Sequence, residues 1–250
     1  MTNIKNIVQP SIEYLEKTDH PIKVDYKRDE LVSLYWQYHQ RLKAFKIFSK
    51  KDATILDIGG GSGGINCWKK YLTPHRDDLK IHAVDLFKGE LFDQYKSYKL
   101  INLDNDDIPY EENAFDFIMM SHLIEHVNDW KSLINKCDKV LRKGGIMYIE
   151  TPSIHTTELP TKAHYESLGY HCTTINFYDD STHLKVVDLD EVSAYAETKN
   201  MITVEKGFCR NPFLEDYLIA AGLKLKDSEI TSYGLWSKLL FASYVVLQKS

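Results

Sequence analysis

Cysteine is scarce in this chain. Four stand among 250 residues, at Cys67, Cys137, Cys172 and Cys209, and no two form a CxxC pair. So spaced, they offer neither a disulfide framework nor a thiolate zinc site, and they fit reduced thiols in a cytoplasmic protein. An excess of positive charge is missing too: 31 Lys and Arg face 36 Asp and Glu, for a formal net charge of −5. No general field therefore draws the chain to a phosphate backbone, and no nucleic-acid partner is expected. Long apolar runs are also absent. The longest, such as Phe241–Leu247, are too short to cross a bilayer, and the opening MTNIKNIVQPSIEYLEK lacks the apolar centre of a signal peptide. No membrane association is expected. What is present, 43% hydrophobic and 27% charged residues, suits a packed globular chain, long enough for one α/β domain and an insertion.

Two patterns divide the chain. Over residues 1–50 a polar, Pro-punctuated start leads into Leu31, Leu34, Tyr35, Tyr38, Leu42 and Phe45, spaced to share one helix face. This predicts a helical extension that packs on the main domain. From residue 51 to 250, strands alternate with helices. Ala53–Ile58, Leu79–Val84, Tyr98–Leu103, Phe115–Met120 and Gly145–Glu150 read as five strands; residues 128–141 read as an amphipathic helix stopped by Gly144-Gly145. Periodicity fades over 151–187, read as a substrate-binding insertion. It resumes with a helix at Asp188–Thr198 and strands at Ile202–Phe208 and Leu240–Leu247. The fold class expected is α/β: a Rossmann-like, doubly wound, mostly parallel seven-stranded sheet.

The first strand runs into Asp57-Ile58-Gly59-Gly60-Gly61-Ser62-Gly63-Gly64. Glycine lets backbone approach a ligand closely, and a following helix start adds free N–H donors. The loop alone fits two readings. Gly59-x-Gly61-x-x-Gly64 with Asp85 satisfies a dinucleotide fingerprint, and Asp57-x-Gly59-x-Gly61-x-Gly63 equally satisfies a methyltransferase pattern. An NAD(P)-dependent oxidoreductase therefore stays open here, although the chain has no recognisable catalytic Tyr-x-x-x-Lys. A non-catalytic binding module stays open as well.

Three further segments follow: Asp104-Asn105-Asp106-Asp107-Ile108-Pro109-Tyr110, then Ala114–Ile118 with Ser121–Val127, then Val140-Leu141-Arg142-Lys143-Gly144-Gly145. In this order and spacing, over roughly residues 53–152, the set resembles class I S-adenosylmethionine (SAM)-dependent methyltransferases, specifically the type 11 group. The resemblance implies SAM as methyl donor and S-adenosylhomocysteine (SAH) as product. It implies that Asp57, Gly59, Gly60, Gly61 and Gly63 hold the methionine end, that Asp85 accepts the ribose hydroxyls and that Leu86 lies on the adenine. Asp104 and Asn105 would contact the adenine edge, with Ser121 beside the cofactor.

A methyl on sulfonium is already activated, so an alcohol acceptor needs mainly positioning and a base, for which histidine is the usual choice. Two groups of the ten histidines qualify. His122, Glu125 and His126 follow the fourth strand and would share one face if helical, a spacing that could also bind a divalent metal. Relatives in ubiquinone biosynthesis carry a glutamate where His122 stands, in a site linked to Mg²⁺; no metal is expected here. The second group lies in the insertion, where Asp180 could orient His183 as the base. Tyr165, Tyr170, Phe177 and Tyr178 accompany it. The run Asn176–His183 resembles methyltransferases of polysaccharide and capsule biosynthesis, which implies O-methylation of a sugar or nucleotide-sugar. The alternative acceptor is another small molecule, a quinone precursor or an amine.

Overall fold

The computed structural model describes residues 4–17 and 26–250. The chain forms two compact units interleaved in sequence. One comprises Met1–His39, Pro152–His183 and Phe208–Ser243; the other comprises Gln40–Thr151, Leu184–Gly207 and Tyr244–Ser250.

The second unit is built on a seven-stranded sheet. Its strands are β1 (Thr54–Ile58), β2 (Lys80–Asp85), β3 (Ser97–Leu100), β4 (Phe115–Ser121), β5 (Leu141–Pro152), β6 (Met201–Phe208) and β7 (Ala242–Lys249). They lie in the order β3-β2-β1-β4-β5-β7-β6, and the β1–β2, β1–β4, β2–β3 and β4–β5 ladders are parallel. The doubly wound, mostly parallel sheet read from the sequence is thus the observed one. The strand order reverses between β1 and β4, so the crevice beyond their carboxyl ends is where such a sheet receives a ligand.

The core follows from the strand composition. Leu56 and Ile58 of β1, Ile118 and Met120 of β4, Met147 and Ile149 of β5, and Val245 and Leu247 of β7 belong to one buried cluster. Leu133, Ile134 and Cys137 of α5 (Trp130–Val140) and Val192 and Ala196 of α7 (Leu189–Glu197) complete it. Both helices start on an aspartate. Asp129 accepts from the Lys131 and Ser132 N–H groups, and Asp188 accepts from that of Asp190. The remaining helices of this unit are α3 (Gln40–Phe48) and the short α4 (Ile65–Trp68).

Three local expectations are corrected. The Gly144-Gly145 pair does not stop α5, which ends at Val140 and passes directly into β5. The pairing moves from Phe115↔Leu141 to Phe117↔Ile146, so the glycines sit in a bulge inside the strand, with Gly144 at φ +75°. The third strand ends at Leu100 rather than Leu103, because Asn102 and Asp106 form side-chain turns there. The single N-terminal helix is two, separated by extended backbone at His39 (ψ 142°). Leu31 and Tyr35 are buried on α2 (Arg28–Tyr38), Leu42 and Phe45 on α3, and Tyr38 is half exposed.

The first unit is helical: α1 (Lys5–Leu15), α2 (Arg28–Tyr38), α6 (Lys162–Ser167), α8 (Glu215–Leu225) and α9 (Ser228–Lys238). Its core includes Val8, Leu15, Tyr165, Tyr170, Ile219 and Leu235. The α8–α9 pair packs through glycine, since a Cβ on Gly222 would lie 2.2 Å from Thr231 Oγ1. Among the described residues, no helix is long and apolar enough to cross a membrane.

Candidate active site

The loop after β1 adopts a conformation that its glycines alone permit cheaply. Gly59, Gly61 and Gly63 have φ of +72°, +55° and +85°, alternate residues in the left-handed region. Gly59 is also crowded: a Cβ there would meet Leu123 Cδ1 at 2.9 Å. Below the loop, Asp57 is 6% exposed and accepts a hydrogen bond from Tyr95 Oη. Burial raises its pKa to about 6, and Asp85 adds to the rise; the Tyr95 hydrogen bond and the Arg41 charge oppose it.

Asp85, at the end of β2, faces the same loop. Its Oδ2 accepts from the Gly61 N–H at 2.8 Å and its Oδ1 from that of Phe87 at 3.1 Å. Leu86 and Phe87 beside it stand exposed, at 52% and 73%. The residues 86–91 lie directly on the glycine loop: Leu91 N donates to Ser62 O at 2.9 Å, and a Cβ on Gly89 would come within 2.0 Å of Gly61 O. Asp57, the glycines, Asp85 and Leu86 are therefore gathered around one loop. Asp104 has a different partner. Its carboxylate accepts from the Asn128 backbone N–H (2.8 Å) and side-chain amide (2.6 Å), tying the turn after β3 to the start of α5; Asn105 beside it is exposed. Ser121 closes β4 with Oγ donating to Met119 Sδ at 3.3 Å.

Just beyond β4 lies a buried charge cluster. Residues 122–126 do not form the helix that would align His122, Glu125 and His126. Instead His122 is left-handed (φ +51°) and only a single 3₁₀ turn, Ile124–His126, follows. That left-handed step still brings His122 to Glu125. Its Nδ1 lies 3.3 Å from Glu125 Oε1 and its Nε2 3.1 Å from Glu150 Oε1. A neutral imidazole donates through only one nitrogen, so a ring with a carboxylate at each end is an imidazolium. Burial alone would lower the His122 pKa, but the hydrogen bonds and charges of Glu125 and Glu150 outweigh it and raise the value to about 9. Glu150 also binds Arg41, with Nε 3.1 Å from both oxygens, and accepts from Tyr148 Oη at 2.6 Å. Thr151 Oγ1 donates to Glu125 at 3.0 Å. The two carboxylates, 0% and 1% exposed, are thus matched by one guanidinium and one imidazolium. Arg41, Tyr95 and Glu150 carry no motif and were not singled out by their sequence; only their burial marks them.

In the helical unit, His183 Nδ1 donates to Phe177 O at 2.7 Å, and its Nε2 stands 3.9 Å from Asp180 Oδ2. Asp180 also accepts from Thr182 N and Oγ1 (2.9 and 2.6 Å). The neighbouring Asp179 is structural, accepting from the N–H groups of Lys162, Ile175 and Asn176. Of the aromatics that accompany His183 in the insertion, Tyr165, Tyr170 and Phe177 are buried and Tyr178 is exposed.

Comparison with known proteins agrees with the fold. A family model described as a methyltransferase domain matches residues 28–199. The ubiquinone biosynthesis O-methyltransferase of Pelagibacter ubique is 29% identical over 150 residues, 53% of this chain and 53% of that protein. The chain spans about half the length of the curated relatives it matches. Two solved structures share the fold. A SAM-dependent methyltransferase from Archaeoglobus fulgidus has TM-score 0.56 at 18% identity, covering 88% of this chain and 94% of that one. Phosphoethanolamine N-methyltransferase 2 of Haemonchus contortus, solved with phosphomonomethylethanolamine and SAH, has TM-score 0.57 at 14% identity, covering 100% and 60%. With more than half its length matched by that model, the chain belongs to the methyltransferase domain family.

Proposed function

We propose that this chain transfers the methyl group of SAM to a hydroxyl of a small molecule and releases SAH. The observation that carries the reading is the alternating left-handed glycine loop with Asp57 beneath it and Asp85 across it. Bound there, SAM would supply an activated methyl. Asp57 would hold the ammonium of the methionine end, and Asp85 would use its remaining lone pairs for the ribose hydroxyls. Leu86 and the exposed Phe87 would cover the adenine. Asp104 would act at one remove, by fixing Asn128, with Asn105 the exposed member of that turn.

Names among the relatives support a quinone-precursor hydroxyl as acceptor more than a sugar. The burial of Tyr165, Tyr170 and Phe177 leaves Tyr178 as the exposed ring among those four aromatics for sugar stacking. For the base, His183 fits better than His122. Its Nδ1–H is committed to the Phe177 carbonyl, so its neutral form carries the lone pair on Nε2, whereas His122 donates through both nitrogens. Glu125 is fully buried and bonded, which suits support rather than proton transfer. The Glu125 oxygens already hold His122 and Thr151, and those of Glu150 hold Arg41, His122 and Tyr148. No step is assigned to a divalent cation.

His183→Ala is expected to lower turnover by roughly 10²–10⁴-fold with SAH affinity unchanged, and His126→Ala to do so only if His126 is the base instead. Single-turnover rates beside calorimetric SAH titrations decide this. Full turnover in His183→Ala removes His183 from the role.

A further inference from the structure

We propose that Arg41, which lies on α3 outside every glycine or acidic motif, is a positioning residue for the methyl donor: its guanidinium holds Glu150 at the end of β5 and lies over the Trp68 ring behind the glycine loop. The proposal rests on the methyltransferase reading above.

Two contacts of Arg41 lead to the loop, to Glu150 and to the Trp68 ring. Its side chain is 11% exposed and holds Glu150 through two nitrogens. The guanidinium carbon lies 5.1 Å from the centroid of the Trp68 ring. Trp68 in turn packs on Gly64, where a Cβ would come within 2.9 Å of Cζ2. Arg41 thus joins the strand-end carboxylate to the last residue of the glycine loop. A second path closes the circuit: Glu150 meets His122, and Leu123 covers Gly59 at the first residue of that loop. Both ends of the loop are tied to Glu150.

The cation also acts on Asp57. The groups acting on that carboxyl are Tyr95 by its hydrogen bond, Asp85 by like charge and Arg41 by opposite charge. Arg41 is the cation among them, and it favours the ionised carboxylate that an ammonium ligand requires. Removing it would leave Glu150 buried with less compensation, loosening the loop, and would let Asp57 take up a proton closer to neutral pH.

The test is calorimetric titration of the full chain with SAH from pH 5 to 9, on the wild type, Arg41→Met and Arg41→Lys, with thermal melts confirming folding. Wild-type affinity should fall as pH drops through about 6. Arg41→Met should bind SAH about tenfold or more weakly at pH 7.5, with that fall moved to higher pH. Arg41→Lys keeps the stem and the charge, and should restore the wild-type midpoint. Should Arg41→Met fail to fold, Arg41→Gln replaces it. Wild-type affinity in Arg41→Met would overturn the proposal, as would weakened affinity with an unmoved midpoint, which marks a purely structural role. A wild type that does not bind SAH at any pH would instead refute the methyltransferase reading.

Discussion

Asp57 is a carboxylate held where water does not reach, and that has an energetic sign. Its pKa in the fold, about 6, lies above the ordinary 3.8, so the folded state binds the extra proton between those values. Stability therefore falls as pH rises from about 4 to 6 and stays lower above that window. Replacing Asp57 by Asn, which keeps an acceptor for Tyr95, should raise the melting temperature at pH 7.5. The gain is on the order of 2–3 kcal/mol at most. The same change should weaken SAH binding at least about tenfold, the trade expected where a strained group serves a ligand. Melting curves and calorimetry on Asp57→Asn check both halves. His122 has the opposite sign. Its pKa is raised from 6.5 to about 9, so its contribution is complete below 6.5 and is lost as pH rises through 9. Substitution by Ala leaves two buried carboxylates short of a cation, at a cost of roughly 3–5 kcal/mol. The wild type should lose thermal stability between pH 7 and 10, while His122→Ala should start lower and vary little with pH over that range. An unchanged pH dependence in His122→Ala would show that another group titrates. Asp57 and Asp85 were legible in the sequence because they punctuate the ends of strands. Tyr95 and Arg41 were not, because their roles arise from distant segments meeting.

At the scale of elements, the segment from β2 to the turn at Phe92 acts as a wall pressed on the glycine loop. Gly89 sits at the closest approach, where no side chain fits without moving backbone. Gly89→Ala should therefore part the two loops and weaken SAH about tenfold to a hundredfold, while the melting temperature changes by a few degrees at most. Unchanged SAH affinity in that variant would mean that the contact is dispensable. Strand positions were readable because buried β1, β4 and β5 are near-continuous apolar runs followed by turn residues. The α8–α9 pair gave no such signal. In α9 eight of eleven residues are buried, Thr231, Ser232 and Lys238 among them, so no amphipathic stripe survives to be read. Gly144-Gly145 was misread for a physical reason also: glycine ends helices and forms bulges by the same left-handed freedom, and local sequence does not separate the two. The break at His39 carried neither Gly nor Pro, and only burial on both sides of it shows why the stripe from Leu31 to Phe45 is divided between two helices.

At the scale of the molecule, the sheet order and the glycine loop make a fold that serves many chemistries, so the reaction is argued from the site. In the proposed reading the loop, Asp57 and Asp85 specify the donor. The acceptor is less deeply written in the sequence, since Tyr165, Tyr170 and Phe177, which accompany the run that implied a sugar, serve as core once folded. The decisive measurement is transfer of an isotopically labelled methyl group from SAM, with a panel of phenolic quinone precursors, amines and nucleotide-sugars as acceptors. Label on a quinone-precursor hydroxyl, abolished by Asp85→Asn and strongly reduced by His183→Ala, is the result predicted. Label on a nucleotide-sugar would keep the reaction and overturn the acceptor. No label on any acceptor, together with no detectable binding of SAH, would contradict the account at its centre.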